Sequence, residues 1–260
     1  MRSLGINQSF VGMLQRIAER ASSRLLVNGN LSPLFAIERS VRQGDPLSMQ
    51  LFVLYLHPFL TQLSRICDGD LCVAYADDIS VIATSTQKIE CMNELFSSFE
   101  VVAGAKLNRS KTTAIDVGTV DENRLFVPCL QTGVTIKILG VVFANSIRVM
   151  VEVNWDAIVA RTARCIWLHS LRNLNVVQKV TLLNYYILSK MWYLASNLAP
   201  NTVHIAKITS IIGSFIWRGL PARVPMQQLA RSNEHGGLNL QLPALKCKAL
   251  PINRNLHEIN

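Results

Sequence analysis

The stretch from Leu71 to Ala83 limits the possible folds of this chain more than any other. Two β-rich runs, Leu71–Tyr75 and Ile79–Ala83, leave only Ala76, Asp77 and Asp78 between them. So short a link predicts a strand–turn–strand hairpin with the acidic pair at its tip. Adjacent carboxylates repel, and an apolar strand surround raises the cost of keeping both ionised. A hard divalent cation ligated by carboxylate oxygen removes that cost. The plainer alternative is an acidic turn facing water. Ala74-Tyr75 and the flanking apolar runs favour a turn held in the body of the fold.

The text on either side is mixed. Residues 10–23 read as a helix, with Phe10, Leu14 and Ile17 at helical spacing. Leu25 to Val27, Asn28-Gly29 and Leu34 to Ile37 read as strand, turn, strand. A helix is expected from Pro46 to about Arg65, with Leu47, Leu51, Leu54 and Tyr55 inward and Pro58 kinking or dividing it. Residues 86–103 show an amphipathic stripe of Ile89, Met92, Leu95, Phe96 and Phe99. Thr112 to Val117 and Thr135 to Phe143 are further strand candidates. Beyond about residue 150 the periodicity is helical, in Trp155–Leu168, Val176–Leu194 and Val203–Trp217, and the tail around Gly236-Gly237-Leu238 reads as loop before a short ordered segment.

Two more polar clusters interrupt these elements. Arg42-Gln43-Gly44-Asp45-Pro46-Leu47-Ser48 offers a guanidinium, an amide, a glycine that permits close backbone approach and a helix start. Those groups suit phosphate, base or sugar contacts, and equally an ordinary turn before a helix. Gly104, Leu107, Asn108, Ser110 and Lys111 lie between a helix and a strand. Lys111 there reads either as a phosphate contact or as a solvated loop residue.

Charge sharpens the picture. The net charge of the 260 residues is +9. Residues 1–65 carry seven Lys/Arg against three acids, 66–130 five against ten, and 131–260 fourteen against four. An acidic middle between basic ends fits a metal-centred site within a phosphate-binding framework. An apolar fraction of 50% and mean hydropathy of +0.26 exclude a disordered tail. No apolar run is long enough for a membrane span, and residues 1–10 are too polar for a signal peptide, so an intracellular protein is expected. Six scattered cysteines form no CxxC pair and read as free thiols.

The clusters, in this order, resemble the reverse transcriptases, and most closely those of non-LTR, LINE-like retroelements. Arg42 through Ser48 resembles the family's RQG-x-PLS block, with Met49 where a proline often follows. Tyr75-Ala76-Asp77-Asp78 resembles its YxDD signature. Gly104 through Lys111 resembles the G-x-x-(L/I)-N-x-x-K block, and Ile138-Leu139-Gly140 the hydrophobic-LG strand at the palm–thumb border. Leu25 to Ile37 is similar to the hairpin before RQG. Gly236-Gly237-Leu238, with Trp217 ahead, resembles the region beyond the thumb less specifically.

The resemblance implies an α+β fold: a partial polymerase palm over 1–145 (antiparallel sheet with packed helices), a helical thumb-like region over 146–220 and a post-thumb segment over 221–260. It implies RNA-directed DNA synthesis on an RNA template from a DNA primer, with deoxynucleoside triphosphates and Mg²⁺, or Mn²⁺ in its place. Asp77 would be the principal metal ligand of this block and Asp78 its support. Arg42, Gln43 and Gly44 would line the nucleotide and template pocket, Lys111 would approach the triphosphate, and Leu139 with Gly140 would shape the primer grip. The basic helices after residue 150 would follow the duplex backbone.

One departure bears on activity. The family carries another metal-binding aspartate several dozen residues before RQG, and the acids before Arg42 here are Glu19 and Glu38, neither of which matches it. The expectation is therefore an N-terminally truncated domain, also without fingers, endonuclease or zinc-binding tail, and inactive alone. Two other classes compete with it. A retroelement-derived nucleic-acid-binding module without catalysis would keep the basic helices. A helical protein-interaction domain would leave the three polar blocks unexplained.

Overall fold

The computed structural model describes residues 5–19, 21–37, 44–117, 131–132 and 135–259. It is a mixed α+β protein of small two-stranded sheets and packed helices, in two compact units, 1–108 and 109–260.

In the first unit, α1 (Gln8–Glu19) ends four residues earlier than its periodicity predicts, because Ser22–Ser23 (β1) pairs antiparallel with Phe35–Ala36 (β4). Inside that pair, Leu26–Val27 (β2) folds onto Asn30–Leu31 (β3). Asn28 and Gly29 form the two-residue link, both at positive φ, 50° and 83°. The Asn-Gly turn is thus the tight kind, and the strand expected at Leu34 belongs to the outer ladder instead.

Helix α2 (Ser48–Ile66) runs undivided through Pro58, contrary to a division there. Its buried side is Phe59 and Leu63, followed by Cys67, one turn apart; Leu51 and Leu54 are half-buried and Tyr55 is exposed. Helix α3 (Thr86–Ala103) has the predicted bounds and stripe. Ser85 Oγ caps it by accepting from the Lys88 backbone N–H, and Gly104 closes it at φ 67°. Phe59 meets Phe96 and Phe99 at ring-centroid distances of 4.9 and 4.7 Å, and Met92 closes this small core. One face of the β5 (Leu71–Tyr75) and β6 (Asp78–Ile82) hairpin, through Cys72, Ile79 and Val81, packs on it.

The second unit begins with Thr113–Ala114 (β7), parallel to Gln131–Thr132 (β8). The single strand expected over Thr135–Phe143 is instead a hairpin, β9 (Thr135–Ile138) and β10 (Val141–Ala144). Leu139 and Gly140 turn it, at φ 47° and 86°, so the apolar run hides its own reversal. Then come α4 (Ile147–Ser170), α5 (Val176–Leu182), a π-helical turn (Leu183–Ile187), α6 (Ser189–Asn197), α7 (Thr202–Trp217), α8 (Met226–Ala230) and α9 (Pro243–Ile259). The helix expected over Val176–Leu194 is interrupted by that π turn.

The core of this unit is larger. Trp155, Leu183, Leu188, Met191, Ile208 and Ile212 are fully buried. The Trp155 indole N–H donates to the Leu198 carbonyl at 3.1 Å, so the polar edge of the ring is satisfied inside the core. Lys179 is buried with its ammonium donating to the Phe215 and Ile216 carbonyls at 2.8 and 2.9 Å, where the end of α7 leaves carbonyls unpaired. The Gly236-Gly237 pair also has a steric cause: a Cβ at Gly237 would collide with the Arg231 backbone. No described helix is long and apolar enough to cross a membrane. Cys67, Cys72, Cys91, Cys165 and Cys247 are free thiols.

Candidate active site on the Asp77–Asp78 hairpin

The β5–β6 ladder pairs Leu71 with Ile82 and closes with Tyr75 opposite Asp78. The turn is therefore Ala76 and Asp77 alone. Asp78 is the first residue of β6 rather than part of the tip. Ala76 sits at φ 53°, a backbone state that costs an L-residue about 1–3 kcal/mol.

Alternation along the strands puts Tyr75 and Asp78 on the face that carries Leu71, Val73, Ser80 and Ile82. That face is uncovered: Tyr75 is 66% exposed, and Asp77 and Asp78 are exposed. The expectation of a turn sunk in the body of the fold is corrected here. The apolar partners of the hairpin lie on its opposite face only.

The base of the hairpin is locked by a group that the sequence reading passed over. The Asp70 side chain is 2% exposed and accepts from Lys88 Nζ at 3.0 Å and from the Thr84 hydroxyl at 2.8 Å. Lys88 Nζ also donates to the Asp68 carbonyl at 2.6 Å. The hydrogen bonds from Lys88, then from Thr84, hold the Asp70 carboxyl below its ordinary range. An acid and a lysine eighteen residues apart carry no periodic signal, and only the hairpin brings them together.

Gly44 is at φ 91° with open space around it, so backbone conformation alone demands the glycine. The Leu47 backbone N–H donates to Asp45 Oδ1 at 2.9 Å, which fixes the entry into α2. Arg42 and Gln43 lie outside the described residues. The Gly104 block is tied to α3, since the Leu107 N–H donates to Glu100 Oε1 at 2.7 Å and the Tyr55 hydroxyl to the Ala103 carbonyl at 3.2 Å. Lys111 is exposed and belongs to the second unit.

Leu139 and Gly140 are also in the second unit, at the β9–β10 turn. Tyr193 donates its hydroxyl to the Leu139 carbonyl at 2.8 Å. Buried Asn154 clamps β10, accepting from the Val142 N–H at 2.9 Å and donating to the Val142 and Met150 carbonyls. Neither residue stood out in the sequence, because each acts on backbone atoms far along the chain. A cavity of about 210 Å³ lies between this hairpin and the helices, lined by Leu139, Val141, Phe143, Met150, Tyr193 and Leu198 among others.

The structure thus sets Asp77 in the turn and Asp78 beside it at the start of β6, both exposed. Among the described residues, no group of three or more His, Cys, Asp or Glu side chains is placed to hold a metal ion. Two carboxylates still fit Mg²⁺, which is commonly held by one or two carboxylates together with substrate phosphates and water.

An exposed Asp-Asp pair thus closes a hairpin whose other face packs on α2 and α3. Residues 4–143 match the model of the reverse transcriptase (RNA-dependent DNA polymerase) family, and the chain belongs to that family. It is 27% identical over 237 residues to the Transposon TX1 uncharacterized 149 kDa protein of Xenopus laevis, covering 84% of this chain and 18% of that protein. It is 25% identical over 270 residues to the Retrovirus-related Pol polyprotein from type-2 retrotransposable element R2DM of Drosophila melanogaster, covering 95% of this chain and 25% of that protein. The chain spans a quarter or less of the length of these two relatives.

Proposed function

We propose that this chain is the part of a LINE-like, non-LTR retroelement's reverse transcriptase that carries the paired aspartates and grips nucleic acid. The observation that carries the reading is the exposed Asp77–Asp78 pair where β5 turns into β6, inside the region matched by the family. The names of both relatives, one a transposon and one a retrotransposable element, support the retroelement origin.

In this reading residues 1–145 act as palm, 146–220 as thumb and 221–260 as the segment beyond it. Asp77 holds Mg²⁺ and Asp78 supports it, with Mn²⁺ as a substitute. The metal supplies charge stabilisation for an in-line phosphoryl displacement by a primer 3′-hydroxyl. Arg42, Gln43 and Gly44 line the nucleotide and template pocket, and Lys111 meets the triphosphate. The Leu139–Gly140 turn, braced by Tyr193, bears on the primer end. The ten-charge surplus of residues 131–260 attracts template and primer backbones without regard to sequence.

The acids before Arg42 are Glu19 and Glu38, and neither matches the family's other metal-binding aspartate. The chain alone is therefore expected not to extend a primer. The test is Mg²⁺-dependent primer extension on an RNA template with this chain, its Asp77→Ala variant, and a form extended upstream. Activity only in the extended form, lost with Asp77→Ala, supports the proposal. Activity of the 260-residue chain would show that an acid within it completes the site. Nucleic-acid binding with no extension in any form would favour a catalytically silent binding module.

A further inference from the structure

Helix α4 and the Leu183–Asn197 stretch set basic groups and aromatic rings on one surface of the second unit. From α4 come Arg161, Cys165 and His169, spaced four residues apart and so stacked along one edge. Facing them are Tyr186 and Lys190. Lys190 Nζ lies 3.9 Å from Cys165 Sγ and 3.9 Å from the centre of the Tyr186 ring, which meets His169 edge-on at 5.4 Å. No acidic side chain lies among the residues that line the surface between Arg161 and Lys190. Burial, and after it the nearby Arg172 and Lys190 charges, push the His169 pKa down.

The backbone contributes an independent sign. Tyr185 and Tyr186 lie in the π-helical turn, a strained form of helix that recurs at functional sites. Tyr185 is 80% exposed and Tyr186 half exposed, so both rings present surface to water. Further along, half-exposed Tyr193 bonds the Leu139 carbonyl at the β9–β10 turn. From Tyr186 to Tyr193 is about 10 Å at helical rise.

We propose that this surface takes an unpaired stretch of nucleic acid, with Arg161 and Lys190 on its phosphates and Tyr186 stacked on a base. Exposed rings beside cations suit splayed bases, whose faces are free; a duplex presents mainly its backbone to such a surface. The inference rests on the reverse-transcriptase reading only in taking nucleic acid as the partner.

The experiment is fluorescence anisotropy of the full chain with a labelled single strand of about 12 nucleotides, and with a duplex of equal length, over a salt series. Tyr186→Leu should weaken single-strand binding by about tenfold and leave duplex binding nearly unchanged, while Tyr186→Phe binds like the parent. Arg161→Gln with Lys190→Gln should flatten the single-strand dependence of log K on log salt by about 1.4. Arg161 is exposed, so this pair serves as the test even if Tyr186→Leu lowers stability. An unchanged salt slope, or equal losses on single strand and duplex with Tyr186→Leu, overturns the inference. A parent chain that binds neither ligand overturns the nucleic-acid reading itself, a different result from a parent that binds and variants that match it.

Discussion

The Tyr193 hydroxyl holds the Leu139 carbonyl at 2.8 Å, fastening the turn of the β9–β10 hairpin to helix α6. Gly140, next along the turn, is at φ 86°, and a Cβ added there would meet only Tyr193 Cε1 at 4.0 Å. Space is therefore not what requires the glycine; conformation is. Gly140→Ala should cost about 1–2 kcal/mol, and Tyr193→Phe about 1 kcal/mol for the lost hydrogen bond. Leu139→Gly, relieving φ 47°, should cost nothing or stabilise. Urea unfolding of the three variants checks the ranking, and Leu139→Gly as the most damaging of them would refute the turn assignment.

Gly237 makes the opposite case. Its backbone is not among the positive-φ glycines, yet a Cβ there would run into the Arg231 main chain, across a bend stitched by Gly237 N–H to the Ser232 carbonyl at 2.9 Å. Gly237→Ala should destabilise by about 1–3 kcal/mol, whereas Gly236→Ala should show only a backbone cost. Thermal melts of the pair separate the two causes. Equal, small losses would mean the bend relaxes freely.

These two glycines show what the sequence could and could not convey. Short-range features were legible: Asn28-Gly29 announced a turn, the stripe from Ile89 to Phe99 gave α3 its bounds, and Asp77-Asp78 marked a hairpin. Features that depend on distant partners were not. The Leu139–Gly140 reversal sat inside an unbroken apolar run, and the π turn at Leu183–Ile187 has no periodic signature of its own. The Asp70–Lys88 pair and the Asn154 clamp join residues eighteen and twelve apart, so only the folded chain reveals them. The exposure of the aspartate turn was also missed, because apolar flanks look alike whether one or both faces are covered.

The Asp70 clamp should confer a pH dependence of known sign. Its carboxyl titrates lower folded than unfolded, chiefly through the Lys88 hydrogen bond. The clamp is therefore fully effective above the ordinary carboxylate pKa of 3.8 and is lost as pH falls below it through the folded value. Asp70→Asn should lower the melting temperature near neutrality and narrow its fall on going to about pH 3. Parallel melting curves for parent and variant across that range would remove the clamp from the account.

Lys179 should act in the opposite pH range. Desolvation, and then the Arg218 charge, push its pKa below 10.5, so in the alkaline window below that value the unfolded chain binds more protons than the folded one. Stability from this group then rises with pH through the window, until the unfolded lysine also titrates. Lys179→Met removes that rise and leaves the Phe215 and Ile216 carbonyls buried without their donor, at about 1–3 kcal/mol. Denaturation of parent and variant at neutral and alkaline pH reads both effects. A parent whose advantage shrinks with rising pH would contradict the sign.

The bare face of the aspartate hairpin gives the remaining prediction. Leu71, Val73 and Ile82 are each about half exposed or more, on a two-stranded sheet whose outer edges are unpaired among the described residues. Unpaired edges beside exposed apolar side chains template association with other chains. The cost does not depend on the fold of the unit, because the packed face is the other one, with Cys72, Ile79 and Val81 on the α2–α3 core. Val73→Thr with Ile82→Lys keeps a β-branched residue in β5 and places a charge on β6, away from Asp77. The double variant should stay monomeric to higher concentration by light scattering, with a melting temperature close to the parent's. If instead it melts far lower and gains no solubility, that face is a core surface and not an exposed one.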